Sequence, residues 1–210
     1  MSGLEKIYAF HHKNERGRGF VLLPTARGAY LCENIGKNKK ILDLGCRDGS
    51  LTQAYYKEND VLGVDIDSEA LEIAQKNLGI QTKQINLNDD WSLPENSFDI
   101  AVAAEVIEHV YYPKIFIEKI ANVLKRDGIL VGSIPNAFSL INRFRYLFGK
   151  KNNTPLGDPT HINHFSRKEF ETILKDKFRK VELVPVGRYS FLEKFFPGFF
   201  AFIYLFKAEK

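Results

Sequence analysis

Cysteine is scarce in this chain: only Cys32 and Cys46 occur among 210 residues. Two thiols so placed form neither a metal-ligand spacing nor a disulfide framework, which fits a reducing compartment. Long hydrophobic runs are also missing. The most apolar stretch, FFPGFFAFIYLF at 195–206, is too short to span a bilayer and is interrupted by Pro197 and Gly198, so it reads as a buried strand. The first twenty residues have no apolar core of export-signal length, and the expected location is the cytoplasm. Charge of one sign is not in large excess. A net +4 with pI ≈ 8.9 describes a solvated lysine-rich surface better than a nucleic-acid groove, and no nucleic-acid partner is expected. No internal repeat or low-complexity tract breaks the chain.

What is present is alternation. A hydrophobic fraction of 44% supports one well-buried domain over 1–210. Apolar runs at 40–45, 61–66, 80–86, 98–104, 128–134, 180–186 and 200–208 read as strands, the central ones continuous enough to be covered on both faces. Helical periodicity lies between them. Ser68 or Asp67 can cap a helix that presents Leu71, Ala74 and Leu78 and stops at Gly79. Another starts at Pro113 and runs to Gly128 with Phe116, Ile120, Val123 and Leu124 inward. A third starts at Ser166 with Phe170, Ile173 and Leu174 inward. The pattern predicts a doubly wound α/β sheet with its ligand outside the carboxyl ends of the strands.

The stretch ILDLGCRDGS at 41–50 reads as a strand entering a glycine turn. After Gly45 the spacing fails for a P-loop. For a dinucleotide turn Arg47 stands at the second glycine and Ser50 at the third, which disfavours an oxidoreductase. Asp43-x-Gly45-x-x-x-Gly49 instead resembles the first motif of class I S-adenosylmethionine methyltransferases. Asp65 follows Gly45 by 20 residues at the end of a strand, where a carboxylate can accept ribose hydroxyls. INLNDDWSLPENSFD at 85–99 and AVAAEVIEHVYYP at 101–113 resemble later blocks of the same family. LPTARGAYL at 23–31 is similar to a segment of ubiquinone-pathway O-methyltransferases, and SIPNAFSL and HINHFSRKEF to a subgroup that includes glycan-associated enzymes.

The resemblance implies a seven-stranded, mostly parallel Rossmann-like sheet with an antiparallel last strand, S-adenosylmethionine as cofactor and a small-molecule acceptor. It implies cofactor contacts at Asp43, Gly45, Gly49, Asp65, Ile66, Asn86, Leu87 and Ala104, and an ion pair from Arg27 to the cofactor carboxylate. Arg47 is expected to face solvent.

Transfer to a hydroxyl needs a group to take the proton, and histidine suits that role near neutral pH. Of His11, His12, His109, His161 and His164, the candidates for the base are His109 and His164. His161 and His164 with Glu105 or Glu108 offer a candidate metal site, but the spacing alone is weak and no metal is expected. The long connection 137–165 reads as a lid over the acceptor. Within it, NRFRYLFGKK at 142–151 mixes aromatic and basic residues, and both packing on the domain and contact with an anionic lipid surface stay open. The expected reaction is methylation of a hydroxyl on a quinone precursor or sugar. The alternatives are N- or C-methylation of another metabolite and a cofactor-binding protein without catalysis.

Overall fold

The computed structural model describes residues 3–210. Seven strands make one sheet: β1 (Lys40–Leu44), β2 (Asp60–Asp65), β3 (Gln81–Gln84), β4 (Phe98–Ala104), β5 (Leu124–Pro135), β6 (Lys180–Val186) and β7 (Ile203–Glu209). Their order is β3-β2-β1-β4-β5-β7-β6. The pairs β1–β2, β1–β4, β2–β3 and β4–β5 are parallel, and β7 inserts antiparallel between β5 and β6. The expected doubly wound sheet with an antiparallel last strand is therefore present. Strand order reverses between β1 and β4, and a crevice opens beyond their carboxyl ends.

Both faces of the sheet are covered because the central strands are apolar on both sides. Along β4, Ala101 and Ala103 face one cluster and Ile100 and Val102 the other, the two-residue alternation of a strand. The first cluster is closed by α4 (Pro113–Val123) and α6 (Arg167–Lys175) through Phe116, Ile120, Phe170 and Leu174. The second is closed by α2 (Pro24–Ile35) and α3 (Ser68–Leu78) through Leu31, Ile35 and Ala74. Asp67 is the residue that caps α3, its Oδ1 accepting from Ala70 N–H at 3.2 Å, while Ser68 is already helical. Two further helices, α1 (Gly3–His11) and α5 (Leu140–Leu147), lie near the carboxyl ends of the strands.

Three boundaries differ from the sequence expectation. The helix from Pro113 ends at Val123 rather than near Gly128, because Leu124 pairs with Phe98 and the chain leaves the helix to begin β5. β3 keeps only Gln81–Gln84 of 80–86, since Asn86 starts a turn. The run 195–206 is not one buried strand. Ile203–Phe206 enter β7, whereas Phe195 and Phe196 are exposed. Glu193 anchors the intervening turn: its buried carboxylate accepts from the N–H groups of Gly198, Phe200 and Ala201 and from the Tyr204 hydroxyl.

Gly132 sits where β4, β5 and β7 meet, paired with both Ala103 and Phe206. A methyl group there would run into the Ala103 carbonyl oxygen and come within 2.8 Å of the Phe206 ring. Gly132→Ala should therefore cost about 3 kcal/mol by overpacking. That is a drop on the order of 6–12 °C in thermal unfolding for a domain of this length. An unchanged midpoint would show that the three strands are less closely packed than described.

Candidate functional site

The sequence places β1 so that its last acidic residue and first glycine stand at the switch point. Gly45 takes φ +69°, and a Cβ there would lie 2.7 Å from Val106 Cγ2, so the turn closes only with glycine. Two cavities flank this turn. The larger, about 320 Å³, is lined among others by Arg27, Asp43, Ala104, Asn142, Asp158 and His161. The smaller, about 80 Å³, is lined by Asp65, Ile66, Asn86, Leu87 and His109, with Tyr8 and His12 from the N-terminal segment. Gly45, Arg47 and Glu105 line both, so the cavities meet at these three residues.

Asp65 holds the turn in place. Its Oδ2 accepts from Arg47 N–H at 3.0 Å and its Oδ1 from Asp67 N–H at 2.9 Å. A carboxylate has about four acceptor sites, so each oxygen keeps capacity toward the smaller cavity. Burial pushes this carboxyl above its usual range, opposed by His12 and the two backbone donors. Burial also pushes the His12 imidazole down, against the nearby carboxylates. His12 Nδ1 lies 3.0 Å from Asp67 Oδ2, which joins the N-terminal segment to the rim of the smaller cavity.

Asp43 forms the floor of the larger cavity. It accepts from Thr52 Oγ1 at 2.6 Å and the Tyr55 hydroxyl at 2.7 Å. Burial pushes its carboxyl up to about 6, although these hydroxyls and the Arg27 charge act the other way. Arg27 is itself buried on α2. Its Nη1 donates to Leu22 O at 3.2 Å, and its Nε has no hydrogen-bond partner. A cavity that presents a cation and a carboxylate to the same space matches a zwitterionic amino-acid end.

Several residues are placed differently from the sequence expectation. Arg47 does not face solvent alone: at φ +51° its guanidinium donates to Gly17 O and Phe20 O, tying the N-terminal segment to the turn. Gly49 lines neither cavity. A Cβ on it would meet Leu78 Cδ1 at 2.6 Å, so this glycine admits α3 against the turn. Asn86 lines the smaller cavity, but its Oδ1 accepts from Asn88 N–H at 3.1 Å and its Nδ2 donates to Asp89, which makes it a turn builder. His164 lines neither cavity, its Nε2 lying 3.3 Å from Pro155 O.

A second group brings together one residue of each cavity, His109 of the smaller and His161 of the larger. Backbone N–H groups of Ile162 and Asn163 donate to Glu108 O at 3.0 and 2.9 Å, which brings the 158–163 segment against the loop after β4. His109 Nδ1 meets Thr160 O at 2.8 Å, so Nδ1 carries the proton and Nε2 is turned toward Glu108, 3.9 Å from its Oε1. His161 Nε2 is also 3.9 Å from Glu108 Oε1 and 3.6 Å from Asp158 Oδ2. Ligand atoms of Glu108, His109 and His161 lie within 4.8 Å of one another, close enough to hold one divalent cation. The sequence paired His161 with His164. Only the fold shows that His109, from the other segment, completes the group. Glu105, at φ +60° and facing both cavities, gave no signal beyond its place in the block after β4.

Comparison with known proteins identifies the family and the fold. A family model described as a methyltransferase domain matches residues 18–177. The chain is similar to the ubiquinone biosynthesis O-methyltransferase of Actinobacillus pleuropneumoniae serotype 5b, with 34% identity over 115 residues covering 50% of this chain and 47% of that protein. It is also similar to the mitochondrial ubiquinone biosynthesis O-methyltransferase of Mus musculus, at 31% over 156 residues covering 69% and 42%. The chain spans about half the length of these relatives. Among solved structures, an S-adenosylmethionine-dependent methyltransferase from Archaeoglobus fulgidus shares the fold with TM-score 0.64 and 20% identity, covering 97% of this chain and 99% of that one. Another from Methanosarcina mazei gives 0.61 and 24%, covering 86% and 96%.

Two outcomes follow from the site. S-adenosylhomocysteine at about 100 times its dissociation constant should stabilise the protein by about 2.7 kcal/mol. The matching rise is on the order of 5–10 °C. The rise should vanish in Asp65→Ala, and a persisting shift would remove Asp65 from the site. Separately, an acid whose folded pKa lies above its unfolded value destabilises the fold as pH rises between the two. With Asp43 moved from 3.8 to about 6, the ligand-free protein should lose on the order of 3 kcal/mol relative to Asp43→Asn between about pH 4 and pH 6. Parallel pH–stability curves for the two proteins would contradict this.

Proposed function

The chain belongs to the methyltransferase-domain family, and we propose that it transfers the methyl group of S-adenosylmethionine to a hydroxyl on a small molecule, a quinone precursor or a sugar. The observation that carries this reading is the meeting of two cavities at Gly45, Arg47 and Glu105. The donor set fits S-adenosylmethionine: Asp65 for the ribose hydroxyls, Ile66 and Leu87 for the adenine, and Arg27 with Asp43 for the zwitterionic end. Bound there, S-adenosylmethionine supplies an electrophilic methyl on a sulfonium that leaves as a neutral thioether, so the protein needs no leaving-group acid.

The remaining task of the protein is to align the acceptor oxygen and take its proton. Alignment alone is worth about 7–11 kcal/mol when the reacting atoms are held in line. The rest of the larger cavity, between Asn142, Pro155 and Phe202, gives the acceptor its place. His109 lines the smaller cavity and His161 the larger, with the buried Glu108 between them, and this group can receive the proton. His109 does so directly through Nε2 if the group is used without metal. A second form of the same reading is favoured by the closeness of the three ligand atoms. A divalent cation held by Glu108, His109 and His161 would bind the acceptor oxygen and favour its ionised form. Similarity to ubiquinone biosynthesis O-methyltransferases supports the oxygen acceptor over nitrogen or carbon.

The test is a transfer assay with methyl-labelled S-adenosylmethionine and a panel of phenolic, sugar and amine acceptors. Label should pass to a hydroxylated acceptor, and Glu108→Gln should lower kcat about 100-fold while S-adenosylhomocysteine still binds. Dialysis against EDTA separates the two forms. Loss of transfer restored by Mg²⁺ supports the cation, and unchanged transfer supports the imidazole acting alone. Label found only on amines would overturn the reading.

A further inference from the structure

We propose that α5 and the turn before β7 form a docking surface for an anionic lipid bilayer. α5 is amphipathic in the inverted sense. Its exposed apolar positions are Leu140, Ile141, Phe144 and Leu147, followed by Phe148, at spacings that place them on one face, with exposed Arg143 beside them. Their exposures run from 47% to 78%, while the buried residue of the helix is polar Asn142, whose Nδ2 donates to Asn136 O at 3.1 Å. The apolar face therefore points away from the domain.

A second exposed apolar segment lies against the first. Phe195, Phe196 and Phe202 are each more than half exposed, on the turn that Glu193 fixes by four hydrogen bonds. Leu140 N–H donates to Phe199 O at 2.7 Å, and the Arg143 guanidinium lies 4.9 Å from the Phe199 ring centre. The two segments thus make one continuous patch with a rigid base. Patches of this kind on a soluble domain mark a contact surface.

The charge around the patch selects the occupant. Residues 139–151 carry Arg143, Arg145, Lys150 and Lys151 and no acidic residue. Residues 187–202 carry Arg188 and Lys194, and their single acid, Glu193, is buried and fully engaged. Six cations surround exposed aromatic and aliphatic side chains with no exposed carboxylate in either segment. Aromatic side chains that enter the headgroup region beside lysine and arginine describe an interfacial lipid contact. No helix among the described residues is long and apolar enough to cross a membrane, so this is contact with one leaflet. Phe202 of the patch also lines the larger cavity, which places that cavity beside the bilayer.

The experiment is co-sedimentation of the purified protein with vesicles of phosphatidylcholine alone and of phosphatidylcholine with one-third phosphatidylglycerol. Binding is expected to the anionic vesicles and to weaken as salt rises. The double variant Phe144→Ser/Leu147→Ser should reduce it at least about ten-fold. Replacing Lys150 and Lys151 with glutamine should reduce it by about five-fold per charge removed. Both variants should keep the wild-type circular dichroism and the S-adenosylhomocysteine thermal shift, because the altered side chains are exposed. Equal sedimentation with and without phosphatidylglycerol, or full binding by the double variant, would overturn the proposal. So would a dimer in solution that the double variant abolishes while vesicles do not bind, since the patch would then serve a second copy of the chain.

Discussion

The site depends on one buried carboxylate. Asp65 ends β2 and accepts the backbone N–H of Arg47 from the turn after β1, and that of Asp67 at the start of α3. Two parallel strands and a helix cap are thereby fixed to one another at the point where strand order reverses. The cost is a desolvated acid, and burial pushes its carboxyl upward. Such an acid is tolerated where its oxygens are met by donors, and the capacity left over points toward the smaller cavity. Arg47 extends the same linkage outward. Its backbone is held by Asp65 and its guanidinium holds Gly17 and Phe20, so the N-terminal segment is tied to the same turn.

This arrangement divides the crevice into two unequal spaces. The smaller is lined on one side by Tyr8 of α1 and by His12 just beyond it, and on the other by Asp65 and Leu87. The larger is bounded by the connection between β5 and β6, which contributes Asn142, Thr154, Asp158 and His161. The sheet supplies the geometry of the turn, while connections outside the sheet shape the larger cavity. The contact between Thr160 O and His109 Nδ1 links the two, because it fixes an imidazole of the β4 loop from the far connection.

Much of this was legible in the residues. Continuous apolar strands alternating with capped helices predicted the doubly wound sheet, since both signals are local. That Asp43, Gly45 and Asp65 stand at strand ends around one turn is legible in the spacing, whereas a role for them toward a cofactor comes from the family resemblance. Gly49 fits the family's turn in sequence, while its close packing against Leu78 is set by the fold and invisible to the local pattern. The role of Arg47 is not legible in sequence because its partners are carbonyls about 30 residues upstream, beyond any local pattern. The histidines were hardest. His161 and His164 are three residues apart and equivalent in sequence, and only the pairing of 162–163 with Glu108 selects His161. The 195–206 run looked like core because composition cannot show that Glu193 turns the chain and leaves Phe195 and Phe196 outside.

The central claim is that the cofactor spans the turn at 43–49, its nucleoside in the smaller cavity and its amino-acid end in the larger, which it shares with the acceptor. A crystal structure of the protein soaked with S-adenosylhomocysteine tests it most directly. The account predicts the ribose hydroxyls on Asp65, the adenine beside Leu87, the amino-acid end between Arg27 and Asp43, and the sulfur at the junction near Gly45 and Glu105. A ligand bound with its ribose away from Asp65, or with its sulfur directed away from the larger cavity, would contradict it.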